Sequence, residues 1–140
     1  MTDTTHLAIP ASLAAIDEAR TWAASHGRAA GLDDEALADI ELAMTEALAN
    51  IIKHGHGGEA TELIDVAVAV LADRFEVSIL DRAPLFVASD VPPRDLDQVA
   101  EGGYGLSLID LVMDEVRRAP RAGGGNSVTL VKFRKGRSDG

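Results

Sequence analysis

One stretch of this sequence, from Asp39 to Gly58, constrains most strongly what the chain can fold into. At about 100° per residue, its apolar side chains fall on a single stripe, which predicts a helix that packs on a core. The residues of that stripe are Ile40, Met44, Ala47, Leu48 and Ile51. The remainder of the chain must therefore supply the core against which this helix packs.

A second face of the same predicted helix is polar. Glu46 and Asn50 are four residues apart and lie one turn above the other, beside the small residues Ala43 and Ala47. A carboxylate and a carboxamide at this spacing suit a site that binds hydrated Mg²⁺ through an oxygen and accepts a proton from a hydroxyl or water. Taken alone, the pair is also consistent with a solvated helix face, because Glu favours helices and Asn is common near helix ends.

Length and composition exclude several classes of protein. A chain of 140 residues is expected to form one domain, 1–140, with a core of its own. The sequence contains no Cys, which excludes disulfides and thiol catalysis and fits a reducing cytosol. No stretch reaches about 18 apolar residues and the first residues do not resemble a leader, so we expect a cytoplasmic protein without a membrane span. The net charge of −10 opposes direct binding to nucleic acid.

The first half of the chain predicts a strand followed by two helices. The strand, His6–Ile9, ends at Pro10 and suits a sheet edge. Ser12 is a suitable N-cap for the first helix and Gly27 a suitable stop. Asp33 or Asp34 is expected to cap the second helix, which carries Glu46 and Asn50.

The second half predicts two hairpins separated by a loop and a helix. The predicted strands are 62–71, 74–80, 116–119 and 127–133, and Ala72 and Asp73 form the first turn. The segment from Leu85 to Gly102 is expected to be a mobile loop, and a loop of this length is usually functional. Glycines then open the third helix, and residues 135–140 are expected to be a frayed tail.

This order of elements indicates the fold class. Strands and helices cluster without a regular βαβ alternation, which favours an α+β sandwich. We expect a mixed, mostly antiparallel sheet that about three helices cover on one face.

Three signals along the chain suit one ligand. Glu46 and Asn50 lie on a helix, Asp81 ends a predicted strand, and Gly103 and Gly105 open a helix. A carboxylate at a strand end can accept a hydrogen bond from an adenine amino group, an Asn can bind Mg²⁺ on phosphates, and glycines let backbone N–H groups approach an anion.

With these motifs the sequence resembles the superfamily of ATPases and kinases that joins gyrase, a heat-shock chaperone, histidine kinases and a mismatch-repair ATPase. Within it, the chain is most similar to the anti-sigma-factor serine kinases of bacterial partner-switching systems. The phrases that carry the resemblance are TEALANIIKHG, the strand ending in DRAP, EGGYGLSLI and the following DEV. They span nearly the whole chain, and their combination is specific although no single phrase is.

The resemblance implies an activity and a set of site residues. The implied protein is an ATP-dependent serine/threonine kinase and anti-sigma factor that uses ATP and Mg²⁺. Its implied partners are a small anti-anti-sigma protein, whose serine is phosphorylated, and a sigma factor; members are commonly homodimers. Glu46 would be the base, Asn50 the Mg²⁺ ligand and Asp81 the adenine reader. The implied ATP-binding set is Asn50, Lys53, His54, Asp81, Ala83, Gly102, Gly103, Tyr104, Gly105, Leu106, Ser107 and Thr129.

One departure from the family pattern keeps an alternative open. The family usually has Gly two residues after the adenine-reading Asp, whereas this chain has Ala83. The extra methyl fits only if φ is negative and the purine has room. A non-catalytic module of the same fold, which regulates a partner by contact, is the alternative hypothesis. Retention of Glu46 opposes it, because a binding module does not need a base.

Overall fold

Five strands form one antiparallel sheet in the part of the chain that the computed structural model describes, residues 3–55, 60–81, 104–120 and 125–134. In chain order the strands are β1 (Asp3–Ala11), β2 (Ala60–Val70), β3 (Arg74–Asp81), β4 (Glu115–Pro120) and β5 (Asn126–Phe133). Their order across the sheet is β1-β2-β3-β5-β4, which confirms β1 as an edge strand. Both predicted hairpins, β2–β3 and β4–β5, are present.

The sheet corrects one part of the predicted fold, because all four described pairings are antiparallel rather than mixed. β3 and β4 flank β5 and both run antiparallel to it, so they point the same way. They do not form a parallel ladder, since β5 lies between them and is bonded to both. The α+β prediction itself is confirmed.

Three α-helices accompany the sheet, and two of them begin at the predicted caps. They are α1 (Leu13–Ala29), α2 (Asp34–Asn50) and α3 (Tyr104–Val112). The Ser12 hydroxyl accepts a hydrogen bond from the Ala15 N–H at 3.3 Å, and the Asp33 carboxylate accepts one from the Ala36 N–H at 2.9 Å. A single π-helical turn, Ile51–Gly55, follows α2. None of the helices in the described ranges is both long and apolar enough to cross a lipid bilayer.

The core lies between the helices and one face of the sheet. Along β3 the burial alternates, and Phe75, Val77, Ile79 and Asp81 all point toward the helices. From α2, the apolar stripe contributes Ile40, Met44, Ala47 and Leu48. The predicted amphipathic helix is therefore confirmed, and its buried stripe faces the sheet.

Gly27 does not end α1 as the sequence suggested. It is buried inside the helix, and a Cβ added there would lie 2.9 Å from Leu37 Cδ2 and 3.2 Å from Leu32 Cδ1. The helix continues to Ala29, and the chain then reverses at Gly31, whose φ of 94° suits glycine. The N–H groups of Leu32 and Gly31 then bond to the carbonyls of Gly27 and Arg28, at 3.0 Å each. Gly27 is thus required for close packing rather than for chain reversal.

This packing predicts the effect of adding a methyl group at Gly27. At an exposed helical site, Gly→Ala stabilises by about 1 kcal/mol, whereas overpacking of a core costs about 1–3 kcal/mol. We therefore expect Gly27→Ala to lower the free energy of unfolding by about 1 kcal/mol in urea denaturation. Ser25→Ala, at an exposed position of the same helix, is the control and should change it by less than about 0.5 kcal/mol. A more stable Gly27→Ala protein would contradict the packing role.

Candidate nucleotide site

Glu46 and Asn50 share a line along α2 with a third polar residue, Asp39. Separations of seven and four residues place the three side chains within about 40° of one another around the helix axis. All three are partly buried. The direction in which Asp39 points therefore also indicates the direction of Glu46 and Asn50.

Lys132 shows where this line of α2 faces. Its ammonium group donates hydrogen bonds to Asp39 Oδ2 at 2.8 Å and to the carbonyl of Val112, the last residue of α3, at 2.5 Å. One side chain of β5 thus reaches both α2 and the end of α3. The line that carries Asp39, Glu46 and Asn50 faces α3, and these two helices pack against each other.

From its contact with Lys132, α2 runs toward the end of the sheet at which β5 begins. Arg134, which follows β5, donates to the carbonyl of Ala30 at the end of α1, at 2.9 Å. After Ala30 the chain turns into α2, which extends away from Arg134. From Asp39 to Asn50 the helix advances about 16 Å, and from Lys132 back to Asn126 β5 covers about 20 Å. Asn50 therefore lies toward the end of the sheet at which β5 begins.

Asp81 lies at this same end, on the face of the sheet that the helices cover. It is the last residue of β3, pairs in register with Asn126, and is only 3% exposed. The amide group of Asn126 donates a hydrogen bond to Asp81 Oδ1 at 3.3 Å. A buried carboxylate that is oriented by an amide can accept a hydrogen bond from a polar ligand edge.

Asn126 is the residue of this site that the sequence did not indicate. It follows a run of three glycines and is the first residue of β5, whereas Asp81 is the last residue of β3. In an antiparallel pair these two positions lie at the same end of the sheet. Only the β3–β5 pairing, across 45 residues of sequence, makes the two side chains neighbours. A polar residue directly after a glycine run and before a β-branched strand was the available signal.

The other residues of the implied set fall into two groups. Some belong to described elements: Lys53 is exposed on the π-helical turn, the backbone of His54 lies in the same turn, and Tyr104, Gly105, Leu106 and Ser107 form the first residues of α3. Others lie outside the described residues: Ala83, Gly102, Gly103, the expected loop from Leu85 to Gly102 and the tail 135–140.

Thr129 departs from the predicted set. It pairs in register with Ser78, and the two hydroxyl oxygens are 3.1 Å apart. Ser78 precedes Asp81 by three residues, an odd number, so both hydroxyls lie on the sheet face opposite Asp81. The strand prediction for Thr129 was right, but the alternation directs its side chain away from the helices.

The donors at this end of the sheet fit Mg²⁺ and a nucleotide. Carboxylate and carboxamide oxygens are hard ligands, and Mg²⁺ bound with phosphates takes one or two protein ligands and completes its shell with phosphate and water. A larger cluster is not needed, and the described residues contain no group of three or more His, Cys, Asp or Glu that could hold a metal. The first N–H groups of any α-helix, including α3, have no partner within the helix itself, and such N–H groups favour anions.

Comparison with known proteins identifies the family. Residues 9–132 match the model of the histidine kinase-like ATPase domain. A serine-protein kinase RsbW of Bacillus licheniformis is 31% identical over 111 residues, which cover 74% of this chain and 68% of that protein. The RsbW of Listeria monocytogenes serovar 1/2a is 31% identical over 125 residues, or 84% of this chain and 80% of that protein.

A solved structure shows the same fold. The crystal structure of the RsbU and RsbW domains of a Mycobacterium tuberculosis protein has a TM-score of 0.66 to this chain at 22% sequence identity. The likeness covers 94% of this chain and 32% of that one, so the fold of this chain matches one part of that longer protein. Membership of an ATPase domain family implies that the chain binds ATP. It belongs to the histidine kinase-like ATPase domain family and, within it, to the serine-protein kinases of the RsbW type.

Proposed function

We propose that this chain is an ATP-dependent serine/threonine kinase and anti-sigma factor of a bacterial partner-switching system. It phosphorylates a serine of an anti-anti-sigma protein and binds a sigma factor, in the cytoplasm and as a homodimer. The observation that carries the proposal is the convergence of Glu46, Asn50 and Asp81 toward one end of the sheet, beside the start of α3. The RsbW relatives support the kinase activity.

Two side chains and the backbone at the start of α3 divide the work at the nucleotide. Asp81, held by Asn126, accepts a hydrogen bond from the adenine amino group. The side-chain oxygen of Asn50 would hold Mg²⁺, and the ion would offset the negative charge of the phosphates. The N–H groups at the start of α3, from Tyr104 onward, donate to the phosphates. Lys53 and His54, on the turn that follows Asn50, complete the set on the side of α2.

Glu46 supplies the proton acceptor for transfer. It takes the proton from the hydroxyl of the acceptor serine while that oxygen forms a bond to the γ-phosphorus. The bond between the γ-phosphorus and the bridging oxygen breaks, and ADP leaves with those electrons. Since Glu46 lies one turn from Asn50, the base and the metal ligand belong to one rigid helix, which fixes their separation.

Phosphate transfer to a protein tests the proposal directly. The chain is incubated with Mg²⁺ and ATP labelled at the γ-phosphate, together with each anti-anti-sigma protein from the same genome. We expect one of these proteins to gain a single phosphate on serine, and its Ser→Ala variant to gain none. Tight ADP binding without transfer to any of them would favour the non-catalytic module, for which Ala83 is the supporting feature.

A further inference from the structure

Lys132 connects three elements that are distant in sequence. Its side chain is 12% exposed, and its three N–H donors have two acceptors on different helices: Asp39 on α2 and the Val112 carbonyl that ends α3. A positive charge at the C-terminal end of a helix is also favoured by the helix dipole. One cation therefore holds the end of α3 against α2.

The turn after α3 is attached to the sheet independently of Lys132. The Asp114 N–H donates to the Val131 carbonyl at 3.0 Å, and the Asp114 carboxylate accepts from the Phe133 N–H at 2.7 Å. These bonds hold the turn to β5 but do not involve α2. Lys132, in contrast, fixes the distance and tilt of α3 relative to the helix that carries Glu46 and Asn50.

The length of α3 makes its tilt important at the other end. The helix is nine residues long, and from Val112 back to Tyr104 it spans about 12 Å. A change of about 10° in tilt at Val112 moves the first turn by about 2 Å. Misplacement on the order of 1 Å can lower the efficiency of a site by about 10²-fold. A change in the contact at Lys132 would therefore shift the first turn of α3, where the phosphates are proposed to bind.

We propose that Lys132 is a positioning residue for the nucleotide phosphates: by joining Val112 to Asp39, it sets the first turn of α3 at the correct distance from Asn50. This inference rests on the proposed nucleotide site. Lys132 touches neither nucleotide nor metal and acts only through the two helices. Loss of the Lys132 ammonium group should weaken the binding of the phosphates and leave the adenine contact at Asp81 unchanged.

Lys132→Met tests the inference, because it removes the donors and keeps the aliphatic stem. The affinities for ADP and for adenosine are measured by displacement of a fluorescent ADP analogue. We expect ADP to bind about tenfold more weakly and adenosine, which has no phosphates, to bind within about twofold of wild type. Hydrogen exchange of the Ile109 to Val112 amides should also become faster, and Lys132→Arg, which keeps charge and donors, should recover most of the ADP affinity.

Arg74→Met is the matched control for the loss of an ion pair. Arg74 adjoins Phe75, the register partner of Lys132, and its Nε donates to Glu76 at 2.6 Å on the opposite face of the sheet. Its ion pairs, with Asp73 and Glu76, involve neither helix, so this change should leave ADP affinity and exchange of α3 amides as in wild type. Asp39→Ala is a milder second variant that breaks only the link to α2, and it should lower ADP affinity several-fold with adenosine unaffected.

The outcomes separate this inference from the proposed function. If wild type binds ADP and Lys132→Met and Asp39→Ala bind it equally well, the positioning role is wrong and the nucleotide site stands. Equal losses of ADP and adenosine affinity would also overturn it, because a general structural effect predicts that result. If wild type itself binds no adenine nucleotide, the proposed function fails.

Discussion

Replacing Glu46 by alanine is expected to reduce phosphate transfer by about 10² to 10⁴, the usual contribution of a positioned general base, while ATP affinity changes only a few-fold. In the proposed mechanism Glu46 moves a proton only during transfer, whereas Asn50 would hold the metal that nucleotide binding requires. Asn50→Ala should therefore lower both affinity and transfer, because loss of the ligand removes binding and charge stabilisation together. Calorimetry with Mg²⁺ and ADP, combined with single-turnover transfer from ATP, measures the two effects separately.

The structure offers a control on the same helix. Glu41 is also a partly buried glutamate of α2, but it lies about 140° around the helix from Glu46, on a different face. Glu41→Ala should transfer phosphate at nearly the wild-type rate. Neither Glu46 nor Asn50 belongs to the apolar stripe, so the melting temperatures without nucleotide should hardly move. Undiminished transfer by Glu46→Ala would remove Glu46 from the role of base.

Replacing Asp81 by asparagine is expected to weaken ATP binding by about tenfold to a hundredfold and to reduce the preference for adenine over guanine. The carboxylate can only accept, and the adenine amino group donates; an amide at position 81 can turn and donate instead. Asp81 is buried, so a mismatched partner there has little access to water, and such a group costs about 1–3 kcal/mol. Affinities for ATP and GTP, measured by competition, report the change in preference.

Asp65→Asn is the matched control for Asp81→Asn. Asp65 lies on β2, pairs with Leu80, and is on the sheet face opposite Asp81. Its replacement removes the same charge close to the same end of the sheet and should leave the nucleotide preference unchanged. An identical ATP to GTP ratio for wild type and Asp81→Asn would show that adenine is read elsewhere.

Local sequence signals predicted the elements of this fold well. Ser12 and Asp33 form helix caps through their own side chains and N–H groups three residues ahead, so the evidence is contained in a few residues. The hairpin at Ala72 and Asp73 is equally local. Gly27 was misread because its role depends on Leu37 and Phe75, which approach it only in the folded protein.

The candidate site was predictable where one element carried it. Glu46 and Asn50 could be placed together because helical spacing alone relates them. The face on which Thr129 lies and the partnership of Asp81 with Asn126 depend on the register of β3 with β5, which no short motif specifies. Lys132 and Asp39, 93 residues apart, were beyond any local signal.

The position of β5 in the sheet determines when this fold can form during synthesis on the ribosome. β5 follows the other four strands in sequence, yet it lies between β3 and β4 and bonds to both. A nascent chain that has reached only Pro120 leaves β4 without its ladder and one edge of β3 open, and Asp81 lacks Asn126. Pairing so distant in sequence is slow to form and exposes strand edges meanwhile. The end of the sheet that carries Asp81 is therefore completed only after β5 has emerged from the ribosome and paired with β3.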